Sequence, residues 1–137
     1  MADVAVIKEC EYVEDTGDEQ GRLKPVPAYV MVYEISGPMF FGAADKIPHM
    51  ERDNGCRVLI LRMRSVPAMD ITALNGLRRL YDECVRKNIN VVFSHVNEQP
   101  MSVFRKSGMY DLVGAENFQP NIDVALERAI SIGGMPV

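Results

Sequence analysis

The sequence predicts an α/β fold built on a mostly parallel sheet of roughly four or five strands with about four α-helices. Short runs of β-branched and apolar residues at 28–35, 57–63 and 90–94 are typical of strands. Apolar positions recur at helical spacing at 71–87 and 121–132, which predicts helices. Because strands alternate with helices, we expect parallel strands joined by right-handed crossovers.

The first 25 residues carry the negative excess of the chain. They hold seven acidic and three basic side chains, which accounts for the formal net charge of −4 over all 137 residues. Residues 4–13 favour an edge strand or a tail, and the acidic residues 14–25 are typical of a mobile, solvated loop. The remaining residues are electrically balanced, which argues against a nucleic-acid-binding protein, because such a protein needs a basic face or stripe.

A short helix is expected after the strand at 28–35, extending to about Arg52. Pro48 lies within this segment, and proline is tolerated only in the first turn of a helix. The regular part of the helix should therefore start near Lys46.

The run at 57–63 is apolar without alternation, as expected of a strand buried on both faces. A helix from Ile71 to Lys87 should follow it, with Asp70 as the N-cap residue. Its apolar stripe consists of Ile71, Leu74, Leu77, Leu80, Tyr81, Cys84 and Val85.

The last third of the chain predicts one buried strand and two helices. The strand is at 90–94, and Pro100 opens the next helix in its first turn while Gly108 closes it. A short connection at 113–118, with room for a small strand, precedes a last helix that runs from Asn121 to about Ile132 and ends at a pair of glycines.

Ligands of such sheets bind beyond the carboxyl ends of the strands. In this sequence the most informative such place is the junction at 66–74, where a helix start exposes free N–H groups and a positive dipole end. Thr72 would lie in its first turn between Asp70 and Ala73, where a phosphate group or a bound anion is favoured. A capped helix with no further role explains the same residues.

The sequence contains no pattern typical of a catalytic site. It has no GxGxxG, P-loop lysine, GxSxG or HExxH motif. Asp70 and Thr72 would resemble an acid and a nucleophile, but no histidine lies near them in sequence to act as a base. We therefore expect no enzyme activity and no cofactor.

Cysteine and histidine usage argues against a metal centre. Cys10, Cys56 and Cys84 are far apart and form no CxxC pair, which disfavours a zinc site or a disulfide framework and fits a reducing compartment. Cys56 and Cys84 fall on apolar segments and should lie in the core. His49 and His95 fall in or beside loops, where surface or structural roles are expected. No run of about 18 apolar residues is present, so no membrane insertion is expected.

Three segments resemble the STAS domain, named for sulphate transporters and anti-sigma factor antagonists. PMFFGAADKI at 38–47 resembles the P-[LM]-F-F-x-x-A-[DE] loop of STAS domains attached to SulP-type anion transporters. VPAMDITALNGL at 66–77 resembles the V-x-x-[ILM]-D-x-[ST]-[AG]-x-x-x-L signature that opens the helix after the central strand. NVVFSHVNEQPMSVFRKSGM at 90–109 resembles the strand and helix that come next. All three occur in the family's order.

The resemblance implies a STAS fold and a choice between two branches of the family. In the transporter branch, the domain lies on the cytoplasmic side of the membrane and supports regulation, folding or assembly of a sulfate or related anion transporter. In the antagonist branch, a free-standing switch protein is phosphorylated at the position of Thr72. Val66-Pro67-Ala68-Met69-Asp70 and the loop with Phe40 and Phe41 favour the transporter form, and Ala73 departs from the glycine that antagonists usually carry there.

The transporter interpretation implies partners rather than chemistry. They would be the transmembrane domain of a parent transporter, cytosolic regulatory proteins and, more weakly, an anion or nucleotide near Thr72. Met39, Phe40 and Phe41 are expected to form an apolar lip for such contacts beside the helix that starts at Ile71. The alternative is that at least one of the two phenylalanines fills the core. The expected organisation is an N-terminal extension at 1–25, a STAS domain at 26–132 and a tail at 133–137, as in a domain cut out of a longer protein.

Overall fold

The computed structural model of the chain describes residues 5–10, 12–14, 23–40, 42–50 and 55–133. Seven strands, four α-helices and two 3₁₀-helices (Ala43–Lys46 and Ala115–Asn117) lie in these residues. The strands are β1 (Val6–Cys10), β2 (Tyr12–Glu14), β3 (Leu23–Pro25), β4 (Val30–Ser36), β5 (Val58–Ser65), β6 (Asn90–Ser94) and β7 (Phe118–Gln119). The α-helices are α1 (Ile71–Arg86), α2 (Glu98–Ser107), α3 (Met109–Val113) and α4 (Ile122–Gly133).

Five of the strands form one mixed sheet in the order β1-β4-β5-β6-β7. β4, β5, β6 and β7 are parallel to their neighbours, whereas β1 pairs antiparallel with β4 at the edge. The predicted mostly parallel sheet is therefore confirmed. For residues 4–13 the sequence left an edge strand or a tail open, and the structure has an edge strand at Val6–Cys10. β2 and β3 form a separate antiparallel pair. The predicted loop at 14–25 thus includes strand residues, and its residues 15–22 lie outside the described part of the chain.

The sheet has a core on each face. The larger core packs α1 and α2 against Leu59, Leu61 and Phe93, and the smaller core packs α4 against Val58, Ile60 and Val92. Residues 58–63 of β5 are all buried because neighbours cover both faces of this central strand. The predicted strand buried on both faces is therefore confirmed.

The predicted helix ending near Arg52 is wrong in the described residues. A 3₁₀-helix ends at Lys46, where the regular helix was expected to start, and residues 47–50 are not helical. The reason is a tertiary contact: the Arg79 Nη2 donates to the Ile47 carbonyl at 3.0 Å, and the Met50 N–H donates to Glu83 Oε1 at 3.0 Å. Side chains of α1 thereby take the place of helical backbone partners. Arg52 itself lies outside the described residues.

Close backbone approach holds the 3₁₀-helix on α1. A Cβ atom added at Gly76 would lie 2.7 Å from Ile47 Cδ1 and 3.3 Å from Ala44 Cα, so a larger residue would force the two elements apart. This approach fixes the segment after β4 next to the N-terminal half of α1.

The last third of the chain follows the predicted order with one addition. α2 has Pro100 in its first turn and ends at Gly108, whose φ of 85° is the left-handed conformation that glycine adopts most readily. The short helix α3 begins directly after that glycine and was not predicted. β7 has two residues, in the connection where a small strand was expected.

Candidate functional site

The candidate site lies beyond the carboxyl ends of β4 and β5, where α1 begins. Met39 and Met69 pair as an isolated parallel bridge that continues the sheet past both strands. The Met39 N–H donates to the Ala68 carbonyl at 2.9 Å, and the Asp70 N–H donates to the Met39 carbonyl at 3.0 Å. The segment after β4 and the segment before α1 are therefore held side by side.

Two amide side chains at the start of α2 attach this helix to the end of β5 and to the segment before α1. Gln99 Oε1 accepts from the Met69 N–H at 2.8 Å, and its Nε2 donates to the Met69 carbonyl at 3.2 Å. Asn97 Nδ2 donates to the carbonyls of Arg64 and Val66 at 3.1 and 2.9 Å. The sequence reasoning missed both residues. Their sequence signal is their place just after the strand predicted at 90–94, where Asn97 is also the asparagine of the N-x-x-[PV] pattern in the third resembling segment.

The first turn of α1 is capped as predicted. Asp70 Oδ1 accepts from the Ala73 N–H at 2.9 Å, which satisfies one of the donors that a helix start leaves free. Ala73 is fully buried, and its N–H is already bonded to Asp70. Of the three residues predicted for a phosphorylation or anion site, Thr72 is the one whose side chain is exposed.

The predicted apolar lip is divided between core and surface. Met39 is fully buried, so it belongs to the core and offers no contact surface. Phe40 is 47% exposed, and Phe41 lies outside the described residues. Ile71, at the start of α1, is 56% exposed. Phe40 and Ile71 directly follow Met39 and Asp70, the two residues joined by the backbone hydrogen bond, and we refer to these two exposed side chains as the Phe40–Ile71 patch.

Two of the three cysteine side chains are buried in the core, and both histidine side chains are exposed on the surface. In the described residues, no three His, Cys, Asp or Glu side chains are grouped as a metal site would require. Cys56 and Cys84 are buried, as predicted, and burial together with the nearby Cys56 raises the pKa of the Cys84 thiol to about 12. His49 is exposed and contacts Glu83, and His95 is exposed with a φ of 55°.

A family model of the STAS domain matches residues 23–125. The chain belongs to the STAS domain family. The fold that the sequence resemblance implied is therefore confirmed, and the three quoted segments lie on the elements expected of them. The loop at 38–47 follows β4, the segment at 66–77 opens α1, and the segment at 90–109 comprises β6 and α2.

Several proteins similar to this chain are named as sulfate transporters or as parts of SulP transporters. The putative sulfate transporter YvdB of Bacillus subtilis is 29% identical over 94 residues, which cover 65% of this chain and 17% of that protein. A sulfate transporter family protein from Wolinella succinogenes has a structure with a TM-score of 0.77 at 30% identity, covering 89% of this chain and 100% of that chain. The SulP transporter STAS domain from Vibrio cholerae gives a TM-score of 0.68 at 31% identity, covering 82% of this chain and 89% of that chain.

The match is to a domain-sized part of the curated relatives. This chain spans 17% of the length of the Bacillus protein. In the described part of the chain, no helix combines the length and the apolar character needed to cross a bilayer.

Proposed function

We propose that this STAS domain is a non-catalytic interaction and regulatory domain of a SulP-type transporter of sulfate or a related anion. Its place would be the cytoplasmic side of the membrane, in contact with the transmembrane domain of that transporter and with cytosolic regulatory proteins. The observation that carries the proposal is the Phe40–Ile71 patch, two exposed apolar side chains on a rigid support in a domain related to sulfate transporters.

The support under the patch favours tight contact at small entropic cost. Met39 is buried and paired with Met69, and the backbone of Met69 is held on both sides by Gln99. Burying a large apolar side chain contributes about 1.5–3 kcal/mol, and a surface already held in place loses little conformational freedom on binding. A partner with an apolar pocket would gain most of its affinity from Phe40 and Ile71.

Thr72 supports a second role for the same surface. Its side chain is exposed in the first turn of α1, next to Ile71. A phosphate there would bring about −1.5 to −2 charges to the positive end of the helix and beside the apolar patch. Phosphorylation would therefore weaken an apolar contact. The same observation supports the alternative function, a free-standing switch protein of the anti-sigma antagonist type phosphorylated at Thr72.

The sequence of the full reading frame that encodes this chain distinguishes between these two functions. Several apolar segments of about 20 residues in the same frame upstream of residue 1 are expected for a transporter domain. A frame that contains the STAS domain alone would contradict the transporter proposal and would favour the switch.

Two substitutions test the patch itself. Phe40→Ala and Ile71→Ala should each weaken binding of the purified chain to the solubilised membrane domain of its transporter by roughly tenfold, the loss expected for one apolar anchor. Val85→Ala is the control, because Val85 is 52% exposed near the other end of the same helix. Calorimetry measures the affinities, and thermal unfolding confirms that each variant is folded. If Phe40→Ala and Ile71→Ala both bind with the affinity of the unchanged chain, the patch is excluded as the contact.

A further inference from the structure

A depression of about 480 Å³ lies beyond the carboxyl ends of β6 and β7. The residues that line it come directly after β6, from the first turns of α2, and from β7 and the residue after it. Open α/β sheets bind their ligands at this end of the strands, and ligand pockets hold roughly 300–1,000 Å³. The depression, which we call the β7 pocket, therefore has the place and the size of a small-molecule site.

One part of the β7 pocket is apolar. Its apolar lining residues are Val96, Met101, Phe118 and Pro120. The Phe118 ring is held in place by the Phe93 ring, stacked on it at 5.0 Å between centroids, and by the Tyr110 ring at 4.8 Å. Val96, Met101 and Phe118 are half-buried, so each leaves apolar surface that a ligand can cover. Because aromatic rings and methionine sulfur both pair favourably with aromatic rings, a flat apolar body suits this surface.

The polar part of the β7 pocket favours a ligand with positive charge. Asn97 Nδ2 already donates to two backbone carbonyls at and just after the end of β5, at 3.1 and 2.9 Å, and Gln119 Nε2 donates to the Glu116 carbonyl. Among the described residues of the lining, Glu98 is the only Asp, Glu, Lys or Arg, and it is exposed. It lies in the first turn of α2, where its charge offsets the positive end of the helix dipole. His95, the remaining polar residue, can donate or accept.

A basic pair on α2 opposes Glu98 and gives the ligand a direction. An adjoining depression of about 500 Å³ shares Val96, Glu98 and Met101 with the β7 pocket and continues to Arg105 and Lys106. These two cations follow Glu98 by seven and eight residues, about 10 Å along the helix axis. A positively charged group is repelled from that end and attracted to Glu98, whereas an anion is drawn to the basic pair.

We propose that the β7 pocket binds a small organic ammonium compound with a flat apolar body. The ammonium group lies against the Glu98 carboxylate, and the apolar body covers Met101 and Phe118. One exposed ion pair and one covered ring give a dissociation constant on the order of 1 mM for a compound of about ten non-hydrogen atoms. The ligand is opposite in charge to the anion considered for Thr72, and the proposal is independent of the function proposed above.

Three compounds of one shape and different charge test the ligand class. They are phenethylammonium, the neutral phenethyl alcohol and the anionic phenylacetate, each titrated at pH 7 into the 137-residue chain and followed by amide NMR. Phenethylammonium should shift the amides of residues 95–99 and of Phe118 and Gln119 in a saturable way. The alcohol should bind the same residues about threefold more weakly, since it lacks the ion pair. Phenylacetate that binds these residues as tightly as phenethylammonium, or the absence of saturable shifts with about 10 mM phenethylammonium, would overturn the proposal.

Variants of the lining separate the charge from the apolar contact. Glu98→Gln keeps the size of the side chain and should weaken phenethylammonium about threefold while leaving the alcohol unchanged. Met101→Ala should weaken both compounds, because both lose apolar contact. Glu127→Gln is the matched control, an exposed carboxylate on α4 that does not line the pocket. Thermal unfolding shows that each variant is folded. Unchanged phenethylammonium affinity in Glu98→Gln, or an equal loss in Glu127→Gln, would contradict the assigned role of Glu98 and with it the proposal.

Discussion

Asp70 stabilises the first turn of α1 through one hydrogen bond, from the Ala73 N–H to its Oδ1 at 2.9 Å. Asp70→Ala removes this acceptor and leaves the N–H of a buried residue unpaired. The free energy of unfolding should therefore fall by about 1–2 kcal/mol, whereas Asp70→Asn keeps an acceptor oxygen and should cost less than about 0.5 kcal/mol. Urea unfolding at pH 7 measures both. Equal losses in the two variants would show that the carboxylate charge, and not the cap, is what matters.

The sequence predicts residues that obey a local rule and misses those set by distant contacts. Asp70 was predicted as a cap because it directly precedes a helical stripe, and Gly108 was predicted as a helix end for a similar reason. The burial of Met39 was not predicted, since it depends on a bridge to Met69, which lies 30 residues away. Gln99 was missed for the same reason, because its two hydrogen bonds also reach Met69.

The backbone conformation of the segment from Ile47 to Met50 is determined by contacts with a neighbouring helix. Its residues predict a helix, yet Arg79 binds the Ile47 carbonyl and Glu83 binds the Met50 N–H, so the backbone finds partners without a helix. Both side chains lie on α1, more than 30 residues away in the sequence. No periodicity within the segment reports such a contact. The long elements β5, α1 and α4 were predicted because their own apolar patterns suffice.

Glu83 should make the contact between residues 47–50 and α1 sensitive to acid. Its partial burial favours the neutral form, but hydrogen bonds from the Met50 N–H, His49 and Arg79 outweigh that effect and lower the pKa of the carboxyl below its ordinary value of 4.5. A carboxyl with a lowered pKa in the folded state contributes stability above its unfolded pKa. That contribution is lost as the pH falls from about 4.5 through the folded pKa.

The expected result is a pH-dependent difference between wild type and Glu83→Gln. At pH 7 the variant should be less stable by about 1.5–3 kcal/mol, the range for hydrogen bonds that involve a charged group. The difference in Tm should shrink steadily as the pH is lowered below about 4.5. Asp82→Asn is the matched control, because Asp82 is an exposed neighbour that pairs with Arg78 on the surface. A difference that persists unchanged at pH 3 would contradict the role of the charge.

At the scale of the whole molecule, the strands of the central sheet were predicted from the sequence, whereas the separate β2–β3 pair and the short helix α3 were not. β5 and β6 were identified because a strand covered on both faces is largely apolar, and β4 was identified from its β-branched and aromatic residues. The β2–β3 pair was not expected, since its strands lie partly within an acidic stretch. Helix α3 has five residues, too few for a helical repeat to be recognised.

The two buried cysteines report on how the larger core opens, and Cys10 provides an accessible thiol for comparison. Cys84 is fully buried in the larger core with a pKa raised to about 12, and Cys56 is 8% exposed in the same core. Cys10 lies on the edge strand β1 and is half-buried, with a thiol pKa raised by partial burial and by Glu34. A thiol reacts as its thiolate and only when a reagent can reach it. Cys10 should therefore react first, and Cys56 and Cys84 only when the fold opens.

Labelling with a disulfide reagent at pH 8 should modify one thiol of the three quickly in the native chain. The other two should react together, at a rate that rises with urea in step with global unfolding, because the core that holds both extends from β4 to α3. Cys10→Ser should remove the fast phase and leave the slow one unchanged. Fast labelling of Cys84 without denaturant would mean that α1 separates from the sheet by local opening, and the rigid support proposed for the Phe40–Ile71 patch would then be lost.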